Sequence, residues 1–490
     1  MGIVQSQSIK NTIITFFGFG IGAINALFLY TQFLGKMHYG MVATILSGAN
    51  ILMPLMAFGI HNTLIRFYSH CKSEQEREEF LTFMLVMPLV FIIPLLLLFY
   101  FFQVPISLFL LRENPELKPF LWLIPVVGLF MGYFEIFYAW VKVHMQSVFG
   151  NFISEVVVRL TIMLLLFSVY WQLISKDTFI YCLALAYFLQ FFATMLYAFN
   201  VKMPVFRLVV PHNVKEIFGY SFFIIISGGV AAMLIDFDKV MIPSYLKVSE
   251  NAVYSVAIFI ATVIIVPSRA MTQIIYPITA KLMAENKHDE LNDLYKKSAI
   301  NLQIIGGLLM LGIFLNINQI YLLIPGKYAT GTLVVFLIGL SKFYDLILGN
   351  NNAIILNTKY YKTVLAFGFL LVFMMIGLNV IFIPLYGIIG AALATLISVL
   401  VYNTIKLLFV VNKMNLYPFT NNTLKSFVII GLVFLLFYFW DFPFHPILNI
   451  GLKSILICAV YIYLNYKLKI SEEVNGVIGN ILKKVKLGSF

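Results

Sequence analysis

Asp236, Asp238 and Lys239 interrupt an otherwise apolar run, AAMLIDFDKVMIP, at residues 231–243. In a helix Asp236 and Lys239 share a face and can neutralise one another, while Asp238 points elsewhere. Other ionisable residues fall within or at the ends of similar runs. Glu155 and Arg159 are spaced i, i+4 for an ion pair, Glu135 stands alone, Lys342 and Asp345 lie close together, and Arg66 and Arg269 sit near run ends. Guanidinium groups match phosphate oxygens. Acids in an apolar setting carry cations or protons, and the amides of Asn350, Asn351 and Asn352 either bond hydroxyl groups or join helices. Two candidate sets follow: Arg66, Arg159, Arg269, Lys342 and Asn351 for binding a ligand, and Asp236, Asp238, Lys239, Glu135 and Asp345 for an ion or a gate.

Each has a plainer alternative. Glu155 and Arg159 suit a structural pair as well as a ligand site, and Arg66 and Arg269 suit anchors at a membrane face. The 236–239 cluster suits an interfacial helix end whose lysine snorkels, although the apolar run continues through Val240, Met241 and Ile242 and so favours a cavity-facing surface. His61, beside Asn62, suits packing better than proton relay. Cys71, Cys182 and Cys458 have neither disulfide nor metal spacing, and there is no nucleotide-binding loop. Cofactors, metals and ATP hydrolysis therefore have nothing to stand on in this chain.

The elements that position these groups follow from composition. Hydrophobic residues make up 61% of the chain, charged residues only 11%, and mean hydropathy is +0.95, far from the roughly 25% charged residues of soluble domains. Apolar runs of about 20 residues recur throughout, long enough to cross a hydrocarbon core of about 30 Å as helices. The expected fold is an all-α polytopic membrane protein with about fourteen spans: 11–34, 40–65, 80–102, 119–141, 151–171, 178–200, 217–245, 252–276, 299–322, 331–356, 361–383, 386–411, 423–440 and 446–466. Trp122, Trp140, Trp171 and Trp440 fall at span ends, where aromatic belts form.

Lys and Arg set the orientation. With both termini inside, Lys72, Arg77, Lys202, Arg207, Lys215, Lys281, Lys287, Lys296 and Lys297 are cytoplasmic, and the outer face receives Lys36, Arg112, Lys118, Lys176, Lys247 and Lys327. The net charge of +12 is then mainly this inside bias, with no nucleic-acid partner implied. By residue counting, Glu135, Glu155, Arg159, Arg66 and Arg269 lie in the inner half, Lys342 and Asp345 nearer the middle of span ten, and the 236–239 cluster in the outer half. The tail 467–490 sets Ile470, Val474, Val477, Ile481 and Val485 at helical spacing beside Lys483, Lys484 and Lys486, suiting either an amphipathic helix on an anionic leaflet or a solvated basic tail.

The sequence weakly repeats itself. LGKMHYGMVA (34–43) and the polar loop SHCKSEQEREEF (69–80) correspond to LKVSENAVYSVA (246–257) and AENKHDELNDLYKKS (284–298), and VGLFMGYFEIFYAW (127–140) to IGLSKFYDLILGNN (338–351). Two six-helix halves in one orientation imply a parallel repeat, with substrate sites between the halves. The expected division is an N-terminal lobe 1–215, a C-terminal lobe 216–415, two further spans in 416–466, and the tail.

A third stretch, LNVIFIPLYGIIGAALATLIS (378–398), carries a family resemblance. Its Asn379, Pro384, Gly387, Gly390, Ala391, Ala392, Ala394 and Thr395 resemble the pattern of polysaccharide and lipid-linked oligosaccharide exporters in the multidrug/oligosaccharidyl-lipid/polysaccharide (MOP) superfamily. IDFDKVMIPSYLKVSENAVYSVA (235–257) is similar to the same family's seventh span. On spacing, Gly387, Ala391, Ala394 and Ser398 are expected to make one smooth helix face for packing, with Gly390 a further packing position. The resemblance implies a MATE-like pair of lobes around a cavity that opens alternately to each side. It implies a flippase for polyprenyl-pyrophosphate-linked oligosaccharide, such as an O-antigen or other polysaccharide repeat unit, in a bacterial inner membrane. The implied partners are that lipid-linked substrate, membrane lipids and other polysaccharide-assembly proteins. A drug/cation antiporter of the same superfamily is an alternative, although Asn11–Leu34 lacks the acid expected there. A membrane polymerase or glycosyltransferase is another, although the longest outer loop, near 103–118, is short and no paired carboxylates appear.

Overall fold

In bilayer hydrocarbon every backbone N–H and C=O must find its partner within the protein, and helices satisfy that requirement segment by segment. The computed structural model describes residues 2–110, 112–205, 207–358, 360 and 363–487, and among them there are helices and no strand. The first eight helices are α1 Gly2–Ile24, α2 Gly35–Met56, α3 Ile60–Tyr68, α4 Glu74–Val86, α5 Leu89–Leu110, α6 Leu123–Val143, α7 Ser147–Phe152 and α8 Val158–Tyr170. Next come α9 Lys176–Val201, α10 Val214–Tyr245, α11 Val248–Thr262, α12 Val266–Ala284, α13 His288–Leu323 and α14 Thr332–Ile347. The last are α15 Asn351–Leu356, α16 Thr363–Met414, α17 Asn421–Tyr438, α18 Pro446–Lys467 and α19 Glu472–Leu487. Among the described residues, 11 helical stretches are long and apolar enough to cross a membrane, two of them, Ile9–Tyr68 and Leu365–Met414, having 60 and 50 residues. The chain is a multi-pass membrane protein.

Several expected spans are interrupted, each at an identifiable residue. α2 and α3 join through Gly59 at φ 64°, and α14 and α15 through Gly349 at φ 56°. α11 and α12 join through a short 3-10 turn, Val263–Ile265, just before Pro267. Gly387 corrects the single smooth face drawn through residues 387–398: at φ 60°, ψ −139° it is a non-helical corner within α16. Only a residue without Cβ occupies that region without strain. Ala391 and Ala394 are fully buried and keep the packing environment expected of them.

The two charged segments read as loops are largely the starts of helices. Ser73 caps α4 with Glu76 in a reciprocal capping box, and α13 begins at His288 with Asp289 and Glu290 in its first turn. Capping groups and early acids offset the unpaired N–H groups of a helix start, so polar character there marks a beginning. The tail forms α19, but the side chains from Ile481 onward and residues 488–490 lie outside the described residues. The expectation resting on Ile481, Lys483, Lys484, Val485 and Lys486 falls there.

Packing divides the chain into two compact units. The first comprises 1–255 with 383–388; its core gathers Phe67, Phe80, Phe137 and Trp140. The second comprises 256–382 with 389–490 and is organised on α13, where Tyr461 Oη of α18 donates to Ile304 O at 3.1 Å. Exposed positions are often large and apolar, as at Phe101, Leu108, Phe373 and Leu435, while Thr44, Ser47, Asn251 and Lys453 are buried. That distribution suits a chain whose outer solvent is hydrocarbon.

Candidate functional site

Within the first unit, the charges of α10 are held by polar groups from α2. Asp236, 5% exposed, accepts from Ser47 Oγ at 2.8 Å, Asn50 Nδ2 at 3.1 Å and Lys239 Nζ at 2.9 Å. The i, i+3 pair read from sequence is thus one corner of a four-residue cluster. Asp238 is also buried, points away from it and accepts from Tyr254 Oη. Further bonds tie the same elements together. Asn251 Nδ2 donates to Thr44 Oγ1 at 2.8 Å and to Lys239 O at 2.8 Å. Buried Asn114 donates to Pro243 O at 2.7 Å and Leu246 O at 2.9 Å, and its Oδ1 accepts from Val248 N at 2.6 Å. A Cβ at Gly40 would overlap Val248 O, so this approach of α2 to the start of α11 requires glycine.

A second polar region of this unit is a cavity of about 230 Å³ among α2, α6, α8 and α9. Arg159 lines it and pairs with Glu155 at 2.7 Å. Glu155 lies in a π-helical segment, Ile153–Val157. α1 fits closely over the pair: a Cβ at Gly18 would overlap Glu155 O, one at Gly22 would lie 3.1 Å from Arg159 Nη1, and Asn25 Nδ2 donates to Arg159 O at 2.9 Å. Gly18 and Gly22 thus repeat the i, i+4 spacing of the ion pair they cover. Glu135 and Gln190 face the same cavity. Among the described residues Glu135 has no hydrogen-bond or salt-bridge partner, and Gln190, 8% exposed, has an Oε1 that accepts no hydrogen bond.

In the second unit, Asp345 Oδ1 accepts from Asn403 Nδ2 at 2.9 Å and borders a small cavity shared with Ser268, Tyr276, Asn350 and Asn352. Asn350 donates to Thr279 Oγ1, and Asn351, fully buried, donates to Tyr295 Oη at 3.0 Å. Asn352 Oδ1 accepts from Lys406 Nζ at 2.8 Å; Lys406 is 2% exposed and lies 4.2 Å from the Tyr402 ring centroid. The sequence reading passed over Lys406, Asn403, Asn114 and Ser47. Lys406 within an apolar span was a visible signal. The other three carry no charge, and nothing in their local sequence marks them.

The remaining cations differ in their commitments. Arg66 is exposed, its guanidinium 4.2 Å from the Tyr220 ring centroid, Arg269 is exposed, and Lys342 is half-buried. Neither Arg66 nor Arg269 has a carboxylate partner among the described residues, in contrast to Arg159, Lys239 and Lys453, the last held by Asp441 at 3.0 Å. Outside the apolar stretches, Lys202 contacts Glu74 at 2.8 Å and Glu78 at 2.7 Å; hydrogen bonds to those carboxylates raise its pKa above the usual lysine value. Lys287 is raised for the same reason by Glu285 and Glu290.

Solved structures share this multi-pass helical fold. The fold matches "Lipid II flippase MurJ, inward closed conformation" at TM-score 0.72 and 18% identity, covering 94% of this chain and 100% of that one. It also matches "Inward-facing conformation of a multidrug resistance MATE family transporter of the MOP superfamily" at TM-score 0.57 and 12% identity, covering 86% and 94%. No curated protein matches the chain. Over residues 7–283 the sequence matches the polysaccharide biosynthesis protein family, and the chain belongs to that family.

Proposed function

We propose that this chain is a flippase that moves a polyprenyl-pyrophosphate-linked oligosaccharide across a bacterial inner membrane by alternating access. Residues 1–215 and 216–415 act as its two lobes, and both termini are cytoplasmic. Membership of the polysaccharide biosynthesis family and the fold shared with a lipid II flippase support this reading. The observation that carries it is the contrast among the cations. Those with carboxylate partners serve the fold, whereas Arg66 and Arg269 are exposed, have no carboxylate partner, and by residue count lie towards the cytoplasmic face. A pyrophosphate is a concentrated anion, and such guanidiniums bind it by charge-assisted bonds without first breaking an internal pair. The Asp236 cluster, which bonds α2 to α10 within the first unit, lies by residue count towards the outer face, away from these guanidiniums.

The test is binding and flipping of a fluorescent lipid-linked oligosaccharide by the full chain in vesicles. Arg66→Gln and Arg269→Gln should each weaken binding about 10- to 100-fold, the range for losing a hydrogen bond to a charged group, with folded protein retained. Wild-type binding by both variants, together with no accumulation of lipid-linked glycan on gene deletion, would defeat the reading.

A further inference from the structure

The cavity lined by Asn50, Glu135, Ser154, Arg159, Tyr187 and Gln190 has a wall whose chemistry narrows its occupant. An anion meets the Glu135 carboxylate, and the one guanidinium lining the cavity is already neutralised by Glu155 at 2.7 Å. A simple cation meets a single carboxylate, Glu135, on whose charge Lys142 already acts. The remaining polar groups are amides and hydroxyls, and Gln190 keeps a buried carbonyl oxygen without a donor. A buried acceptor left unmade costs about 1–3 kcal/mol, so a ligand rich in donor hydroxyls is rewarded there. Phe134 and Tyr187 add aromatic faces to the wall. The volume of about 230 Å³ falls below the roughly 300–1,000 Å³ of sites for drug-sized ligands, a size for one sugar ring.

We propose that this cavity is a monosaccharide-recognition site, in which Glu135 and Gln190 accept hydroxyl hydrogen bonds and Asn50, Ser154 and Arg159 complete the polar wall. The proposal rests on the flippase reading and deepens it: one ring of the lipid-linked glycan is read inside the first unit, apart from the phosphate-binding guanidiniums. Asn50 gives the site a route to the rest of the machine, because it lines the cavity and also donates to Asp236 at 3.1 Å. A sugar that recruits the Asn50 amide loosens the α2–α10 cluster.

The experiment uses the full chain in lipid nanodiscs with Cys71, Cys182 and Cys458 replaced by serine and Ser154→Cys as the only thiol. A water-soluble maleimide labels position 154 in the presence of millimolar free glucose, galactose, N-acetylglucosamine or rhamnose. At least one sugar should slow labelling several-fold, and Glu135→Gln or Gln190→Ala should weaken that protection about tenfold or more. Gln190→Glu, which keeps an acceptor of the same size, should retain it, and thereby separates a lost contact from a lost fold. If no sugar protects, or if sodium or a pH change protects instead, the monosaccharide site is wrong. Flipping is measured in parallel. Sugar protection with no flipping of lipid-linked glycan by wild type defeats the flippase reading and leaves the site. Normal flipping by the Glu135→Gln, Gln190→Ala double variant, together with no protection of position 154 by any sugar when Glu135 and Gln190 are both intact, defeats the site and leaves the flippase.

Discussion

Removing Lys239 or Asp236 singly, and then both together, measures how strongly the α2–α10 cluster depends on compensated charge. Lys239→Met leaves the Asp236 carboxylate with the Ser47 and Asn50 donors at 2.8 and 3.1 Å. Asp236→Asn leaves an ammonium whose side chain is 16% exposed, and turns an amide donor towards one of two donors already in place. Breaking a buried pair by deleting one partner costs about 3–5 kcal/mol. Two surviving hydrogen bonds place Lys239→Met near or below the bottom of that range, and Asp236→Asn belongs near the top. The double variant has no unpaired charge, so its loss should fall short of the sum of the single losses by a coupling energy of about 1–3 kcal/mol. Reversible unfolding in mixed detergent micelles, followed by tryptophan fluorescence for all four proteins, supplies the cycle. A double-variant loss within about 0.5 kcal/mol of the summed single losses would refute the argument that charge compensation organises this contact.

Two further outcomes follow from backbone geometry and surface charge. Gly387→Ala, at φ 60° and ψ −139°, should cost about 1–3 kcal/mol in the same unfolding assay, whereas Gly377→Ala, in a helix with open space beside it, should be neutral or stabilising by up to about 1 kcal/mol; equal effects would remove the special role of the corner. Lys202 has a folded-state pKa raised by hydrogen bonds to Glu74 and Glu78, so its contribution is fully present below the unfolded lysine value of about 10.4 and is lost as pH rises through the folded-state value. Melting temperature should therefore fall on alkalinisation above that point more steeply in wild type than in Lys202→Met, and identical slopes would sink the assignment.

How much of the site was legible depended on how far apart its members lie in sequence. Asp236 with Lys239, and Glu155 with Arg159, sit within one helical turn, so spacing alone showed that each could pair, and the structure holds them at 2.9 and 2.7 Å. Ser47 and Asn50 are 189 and 186 residues from Asp236, and no local pattern predicts that they supply its other donors. Asn114 lies in a stretch read as a short outer loop, and its burial against the end of α10 comes from how the chain returns. Lys406 carried a visible charge, but that Asn352 would be its partner depended on packing within the second unit. Gly387 was noticed for its small size, and the positive φ that makes glycine necessary there emerges only when the helix turns.

By itself, the sequence determined that the chain spans a membrane many times as helices, because about 20 apolar residues in succession leave the backbone no partner but itself in hydrocarbon. It also determined which positions carry charge within those helices, and the motifs that resemble those of polysaccharide exporters. The tertiary structure decided which charges are spent on one another and which remain available, since that depends on contacts between helices far apart in sequence. It likewise decided that Glu135, Gln190 and Asn50, drawn from α6, α9 and α2, face one cavity. A helical period assigns residues to a face of their own helix; only packing assigns that face a neighbour.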